Sequence, residues 1–309
     1  MFMQIVRRIC LWAGILVFTA TAGTPATTGF QFIKSQVGAR PAAMAGAFAA
    51  VPGDLNDLYY NPAGLAVIQS RSGSFTYLKH LLDFNSGFIG YVEPGLGPGV
   101  LAAGLYYMDY GSFKKADQDG TDLGEFGASS LVFTTAYGLQ PLNHLYTGAS
   151  LKYIRASIDN YASDALAVDG GLIYHLPGQQ LTLAASFANL GRSMTSFINY
   201  REKLPFLMRF GVAKHLAHLP LLWSFNIYRY SDEDWHGALG GEFTLSEHVF
   251  LRLGYDNSGK DLKVNLSGDR FAGAAIGLGL VWKKYRFDYA WSSMGELGSL
   301  NRFSLSGDL

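Results

Sequence analysis

The chain has 309 residues, 24 Lys and Arg balanced by 24 Asp and Glu, 49% apolar residues and only 16% charged ones. Net charge near zero removes the electrostatic case for nucleic acid, and no apolar run beyond the N-terminus reaches the length of a helical membrane span. The load of 37 Gly, 18 Tyr and 21 Phe instead suits a strand-built barrel whose outer face meets lipid.

The N-terminus reads as a secretory signal peptide over residues 1–22. Arg7 and Arg8 form a charged n-region, Ile9 to Phe18 an apolar core, and Ala20-Thr21-Ala22 an A-x-A cleavage site. The core is shorter than the roughly 20 residues of a spanning helix, so a retained signal anchor is the weaker reading. The Arg pair alone is a poor twin-arginine match, which leaves ordinary export. Cys10, the only cysteine, lies inside this segment. The mature chain therefore offers no thiol for disulfide, metal or nucleophile chemistry.

Residues 23–70 read as an N-terminal plug. Small residues at Ala42, Ala43, Ala45 and Gly46 suit close packing inside a lumen. Asn61 can cap a helix start and Pro62 fits its first position, so Asn61-Pro62-Ala63-Gly64 turns the chain sharply into a short helical or looped element. The same four residues also read as a plain turn into the first strand.

From residue 71 to 309 the period is two. In Phe206 to Lys214, Phe206, Met208, Phe210 and Val212 share one face, with Arg209 and Gly211 on the other. Trp223, Phe225 and Ile227 alternate with Ser224 and Asn226, and Tyr285, Phe287, Tyr289 and Trp291 with Arg286, Asp288 and Ala290. A soluble β-sandwich shares this alternation. The export signal and aromatic load favour an all-β, transmembrane antiparallel β-barrel of about 14 strands. Candidate strands fall near 72–81, 85–92, 100–108, 129–139, 146–155, 165–175, 181–190, 206–215, 220–230, 236–245, 249–256, 271–281, 284–292 and 300–306. Short links at 93–99, 140–145, 176–180, 216–219, 246–248 and 282–283 alternate with longer ones at 109–128, 156–164, 191–205, 257–270 and 293–299. Two connections on the long side, 82–84 and 231–235, are brief. Outer-membrane barrels place short turns in the periplasm, which puts Asp109 to Ala128 outside the cell. Phe303 and Leu305 keep the outward phase at the C-terminus, although the chain ends in Leu309 where a terminal aromatic is usual.

Gly38-Ala39-Arg40, Met44-Ala45-Gly46-Ala47 and Leu58-Tyr59-Tyr60-Asn61-Pro62-Ala63-Gly64-Leu65 resemble the entry motif of the PorV/PorQ family, which is similar in its 14-stranded barrel to the FadL long-chain fatty-acid transporters. Tyr110-Gly111-Ser112-Phe113 and Glu202 to Gly211 match more loosely and lean to the PorQ branch. Ala45 stands where a second glycine is usual, and Gly53 where an acidic residue often precedes Asp54. The resemblance marks Gly38, Ala39, Arg40, Met44, Gly46, Asn61, Pro62, Ala63 and Gly64 as plug residues. It also implies a component of the type IX secretion system that docks PorU-, PorV- or PorZ-like proteins and cargo sorting domains, with loops 109–128 and 191–205 as contacts.

Chemistry-bearing patterns fail individually. His215 and His218 lack a third ligand and a metalloprotease helix. Asp117, Asp119 and Asp122 surround Gly120, yet the twelfth position from Asp117 is Ala128 where an EF-hand needs Glu. Gly277-Leu278-Gly279 lacks the following helix of a phosphate cradle. No enzyme, metal or other cofactor is expected. Beside secretion, the alternative function is a FadL-like outer-membrane transporter of long-chain fatty acids or other hydrophobic compounds, with outer-membrane lipid and a hydrophobic small ligand as partners. Inward apolar clusters near residues 30–66 favour transport, whereas polar inward faces with a closed plug favour docking. A barrel without either role is a third reading, since fold does not fix function.

Overall fold

The structure is a computed structural model and describes residues 28–309 apart from 82–83, 118, 198–200 and 264–266. The signal-peptide reading of residues 1–22 lies outside the described residues, as does the start of the plug segment.

The strands are β1 (Ser72–Lys79), β2 (Asn85–Leu96), β3 (Gly99–Ala116), β4 (Asp122–Leu142), β5 (Leu145–Ile158), β6 (Tyr161–Leu176) and β7 (Leu181–Ser193). They continue as β8 (Leu207–His215), β9 (Leu221–Tyr230), β10 (Trp235–Ser246), β11 (Val249–Asp256), β12 (Ala274–Trp282), β13 (Tyr285–Ser293) and β14 (Ser299–Asp308). Each pairs antiparallel with its sequence neighbours, and β1 closes on β14 through registers such as Tyr77 with Phe303. Closure leaves no edge strand, so every ladder hydrogen bond is met within the wall.

Alternation sorts the wall into two surfaces. Phe75, Ile89, Leu151, Phe225, Phe287 and Phe303 are exposed on the outside, while Thr76, Phe88, Ser150, Ser224, Asp288 and Ser304 are buried on the inside. Such a continuous apolar exterior is the surface of a barrel solvated by lipid. Among the described residues no helix is long and apolar enough to cross a membrane. The strands are the crossing elements.

The expected loop at 109–128 is mostly strand. The β3–β4 pairing continues through Phe113 with Phe126 and Lys114 with Glu125, with irregularities after Asp109 and Lys114. This hairpin rises beyond the apolar band, where both faces meet water and the sequence loses its two-residue alternation. β7 also runs three residues past the expected end at 190, where Ser193 is buried and donates to the Glu202 carbonyl.

The segment from Thr28 to the start of β1 fills the lumen. It carries a 3-10 turn at Gln31–Lys34, helical turns at Ala39–Ala43 and Asp57–Tyr60, and a 3-10 helix at Pro62–Val67. Gln31–Lys34 lies beside the longer connections, and the last helix leads into β1 at the short-turn end. The segment therefore traverses the barrel from one mouth toward the other.

Candidate functional site: the plug and the cavity above it

The plug fits because the wall withdraws its side chains. A methyl group added at Gly148 of β5 would sit 2.3 Å from the Pro62 carbonyl, and one at Gly171 of β6 would lie 1.8 Å from Asn61 Oδ1. Equivalent close approaches set Gly90 on Leu55, Gly104 on Leu58, Gly138 on Ala66, Gly211 on Ala49, Gly240 on Met44, Gly254 on Ala45 and Gly277 on Ala43. These glycines come from nine strands and form a girdle, partly as direct cross-strand pairs: Gly90 with Gly104, Gly138 with Gly148, Gly148 with Gly171 and Gly240 with Gly254. At Gly138, Gly148, Gly240 and Gly254 plug backbone is among the nearest atoms, and at Gly90, Gly104 and Gly277 plug side chains are, a close approach that an in-strand glycine permits. Polar side chains fill the intervening positions: Ser186 donates to the Tyr60 carbonyl, Asn226 Nδ2 to the Gly46 carbonyl, and Ser304 accepts from Ala39 N–H.

The plug has two chemically different sides. Toward β2–β6, Phe30, Val37, Leu55, Leu58 and Leu65 join Phe88, Val92, Val132, Ile154 and their neighbours in one apolar cluster. Toward β10–β13 the contact is ionic. Arg40 donates to both Glu242 oxygens, Nε to Oε2 at 2.9 Å and Nη2 to Oε1 at 2.7 Å, and Nη1 reaches Asp54 Oδ2 at 3.0 Å. Behind it, Arg252 bridges Glu242 at 2.5 Å and Asp288 at 2.8 Å, and Arg286 lies 3.1 Å from Asp288 and 3.4 Å from Glu242. Three guanidinium groups thus face three carboxylates. The planar fork of arginine suits this bidentate geometry.

All of the sequence-marked plug residues lie at this interface or within the plug. Gly38 (φ 83°) and Gly46 (φ 76°) take left-handed conformations, and a side chain at Gly38 would collide with Asn56. Ala45, where the resembling family usually has glycine, also has positive φ, 53°. Met44 is fully buried. Asn61 caps the 3-10 helix by accepting from Ala63 N–H at 3.2 Å, with Pro62 at its first position. Its Nδ2 also donates to the carbonyls of Ala49 and Leu172, which ties the cap to β6. A methyl at Gly64 would meet the Asp57 carboxylate, which itself accepts from Gly53 and Asp54 N–H. Sequence reasoning missed the glycine girdle, Glu242 and Arg252, and it placed Arg286 and Asp288 on the inward face of their strand without joining them to a cluster. The available signal was charge at inward phase positions of strands whose other residues are apolar.

Above the plug lies a cavity of about 1600 Å³, reached from the end of the longer connections. Its floor is plug backbone and side chains from Gln36, Val37, Tyr59 and Tyr60, and its wall includes Met108, Tyr110, Lys152, Arg209, Tyr228, Tyr230 and Arg302. At its rim, Asp232 holds the start of the plug segment: Lys34 Nζ lies 2.9 Å from its carboxylate, and Thr28 and Gln31 donate to the same group. Burial alone would raise the Asp232 carboxyl, but these donors outweigh it and hold the group below the usual carboxylate range. Among the described residues no three His, Cys, Asp or Glu side chains are grouped to hold a metal ion.

Fold and lumen together define a plugged 14-stranded barrel with a large chamber on one side of its plug. Solved structures of the same architecture include the P. putida toluene transporter TodX (12% identity over 88% of this chain and 98% of that one, TM-score 0.61) and the CymD monoaromatic hydrocarbon channel (13%, 88% and 97%, TM-score 0.62). A Pseudomonas aeruginosa FadL homologue is similar at 12% identity, covering 88% of this chain and 98% of that chain with a TM-score of 0.58. No family model matches the sequence, and no curated protein matches it. At these identities the likeness is one of fold.

Proposed function

We propose that this chain is an outer-membrane channel or transporter for hydrophobic small molecules. The observation that carries this reading is the chamber of about 1600 Å³ between the longer connections and a fitted plug, in a barrel whose fold is shared with channels for toluene and monoaromatic hydrocarbons. A chamber open at one mouth and floored at the other is what uptake requires: a molecule partitions in, and movement of the plug or of the wall lets it leave. The inward faces against the plug are apolar toward β2–β6 and ionic toward β10–β13 and so do not by themselves separate transport from docking, whereas the lining of the chamber mixes apolar with polar groups as ligand sites do.

Docking of secretion partners is the weaker reading. The motif that suggests it is consumed by internal contacts, since Arg40, Met44, Asn61 and Pro62 all touch the wall. The contacts expected of a docking platform lie instead on the connections at 109–128 and 191–205. The β3–β4 hairpin remains a surface such a partner could use.

The test is uptake of radiolabelled toluene and decanoate by cells that lack their own hydrocarbon channels and express this chain in an intact outer membrane. Uptake several-fold above cells with the empty vector is expected. Uptake of both compounds no higher than in cells with the empty vector, together with recovery of a sorting-domain protein on mild-detergent purification, would move the assignment to docking.

A further inference from the structure

Four Lys and Arg side chains are buried among the described residues: Lys152, Arg209, Arg252 and Arg302. Lys152 pairs with Asp169 at 2.7 Å, and Arg252 pairs with Glu242 and Asp288. Arg209 and Arg302 have no carboxylate partner among the described residues. Both line the chamber. They come from β8 and β14, on opposite sides of the barrel, and converge on one stretch of floor. Arg209 Nη1 donates to the Tyr60 carbonyl at 2.8 Å, with its guanidinium 5.4 Å from the Tyr60 ring centre. Arg302 donates through Nε to the Gln36 carbonyl at 3.2 Å and through Nη1 to Ser292 Oγ at 3.1 Å. Tyr60 Oη in turn donates to the Val37 carbonyl, so the two arginines flank a single connected element.

A buried guanidinium is ordinarily matched by an anion, because neutral carbonyl acceptors offset its desolvation only in part. Two such groups beside a cavity are a preformed counter-charge for something that enters it. The surroundings specify the rest of that molecule. Tyr60 and Tyr230 are buried there, and Tyr228 packs edge-on against Tyr230 at 6.1 Å. We infer that the floor of the chamber is a binding site for an organic acid with an aromatic body, its carboxylate or sulfonate taken by Arg209 and Arg302 and its ring set among Tyr60, Tyr228 and Tyr230. This inference rests on the transport reading for its biological use, but binding at the floor is a separate property and is measured separately.

The experiment is calorimetric titration of the purified full chain in neutral detergent at pH 7.5 with 2-naphthoate, 2-naphthalenemethanol and decanoate. 2-Naphthoate is expected to bind at least tenfold more tightly than the isosteric alcohol and at least as tightly as decanoate. Arg209→Gln and Arg302→Gln should each reduce the acid-over-alcohol preference to about twofold or less, with Arg302→Lys keeping an intermediate preference. Equal affinity of the wild type for acid and alcohol overturns the inference without any variant, so misfolding of a variant cannot shelter it. A preference unchanged in well-folded Gln variants also overturns it, and a tenfold preference for decanoate removes the aromatic assignment. Floor binding in a protein that supports no uptake would refute transport and leave the site standing.

Discussion

Glu242 is the residue on which the ionic side of the plug turns, and Glu242→Gln isolates its charge while keeping its shape. In the native protein its carboxylate is approached by Arg40, Arg252 and Arg286, with Asp54 and Asp288 completing a balance of three positive and three negative groups. The substitution leaves the cluster with one excess positive charge, in a place where Arg252 is fully buried. Removing one partner of a buried pair typically costs about 3–5 kcal/mol, far more than the same change at a surface, where the median is about 0–1. Arg252 retains Asp288 and Arg40 retains Asp54, so the lower figure of about 3 kcal/mol applies, which corresponds to roughly a hundredfold in an equilibrium. The cost falls on docking of the plug, because two of the lost contacts run from Arg40 to the wall. Opening of residues 38–60 should rise by about that factor, read by hydrogen exchange on the purified barrel and by protease cleavage near Asp54. Arg40→Gln combined with Glu242→Gln restores charge balance and should be less damaging than the sum of the single changes. Additive effects, or unchanged exchange in Glu242→Gln, would show that the plug is held by its apolar side and that the ionic cluster belongs to the wall alone.

The remaining expectations concern other parts of the same interface. Gly148→Leu drives a side chain into the Pro62 backbone, which cannot yield as a flexible side chain would, and should cost at least about 1–3 kcal/mol of plug docking while the barrel keeps its heat-modifiable mobility on a gel. Gly87→Ala, whose added methyl would find only the Thr76 carbonyl at 3.7 Å, should be tolerated in the same assay. Asn61→Ala removes the 3-10 cap and the donor to Ala49 and Leu172, and should destabilise the plug by about 1–2 kcal/mol for the cap plus about 1–3 for the orphaned buried carbonyls. Because the Asp232 carboxyl is held below its ordinary value near 3.9, its contribution is complete above that value and is lost as pH falls through the lower folded value. A fluorophore placed at Gln31 should therefore report a docked plug start at neutral pH and release only in strong acid, and Asp232→Asn should release it at every pH.

Local pattern carried some of these features and long-range geometry carried the others. The two-residue alternation of Trp223–Ile227 and Tyr285–Trp291 was readable because each residue meets the same lipid or the same lumen along a whole strand. The cap at Asn61 was readable because donor and acceptor are two residues apart. The continuation of β3 and β4 past Asp109 was not, since a hairpin standing in water has no apolar face to mark its phase. The glycine girdle escaped for a different reason. A glycine within a strand signals either a bulge or a close neighbour, and the neighbours of Gly148, Gly240 and Gly277 lie 86, 196 and 234 residues away in sequence, at Pro62, Met44 and Ala43. The same separation hid the ionic cluster, whose members come from the plug, β10, β11 and β13.

The fate of the entry motif follows from this distinction. Gly38-Ala39-Arg40 and Asn61-Pro62-Ala63-Gly64 are the residues that most suggested a secretion component, yet each has an internal task that exhausts its chemistry. The backbone N–H of Ala39 is bonded to Ser304, the guanidinium of Arg40 to Asp54 and Glu242, and both ends of the Asn61 amide to neighbouring backbone groups. Such residues specify how a plug sits in a barrel. They would be required in a docking platform and in a transporter alike, because either must seal its lumen. What separates the two functions must lie in groups whose charge is not matched within the protein, and inside the barrel two such groups stand at the chamber floor. Arg209 and Arg302 have only neutral partners among the described residues, and on the inference drawn above the anion that matches them is a ligand in the chamber.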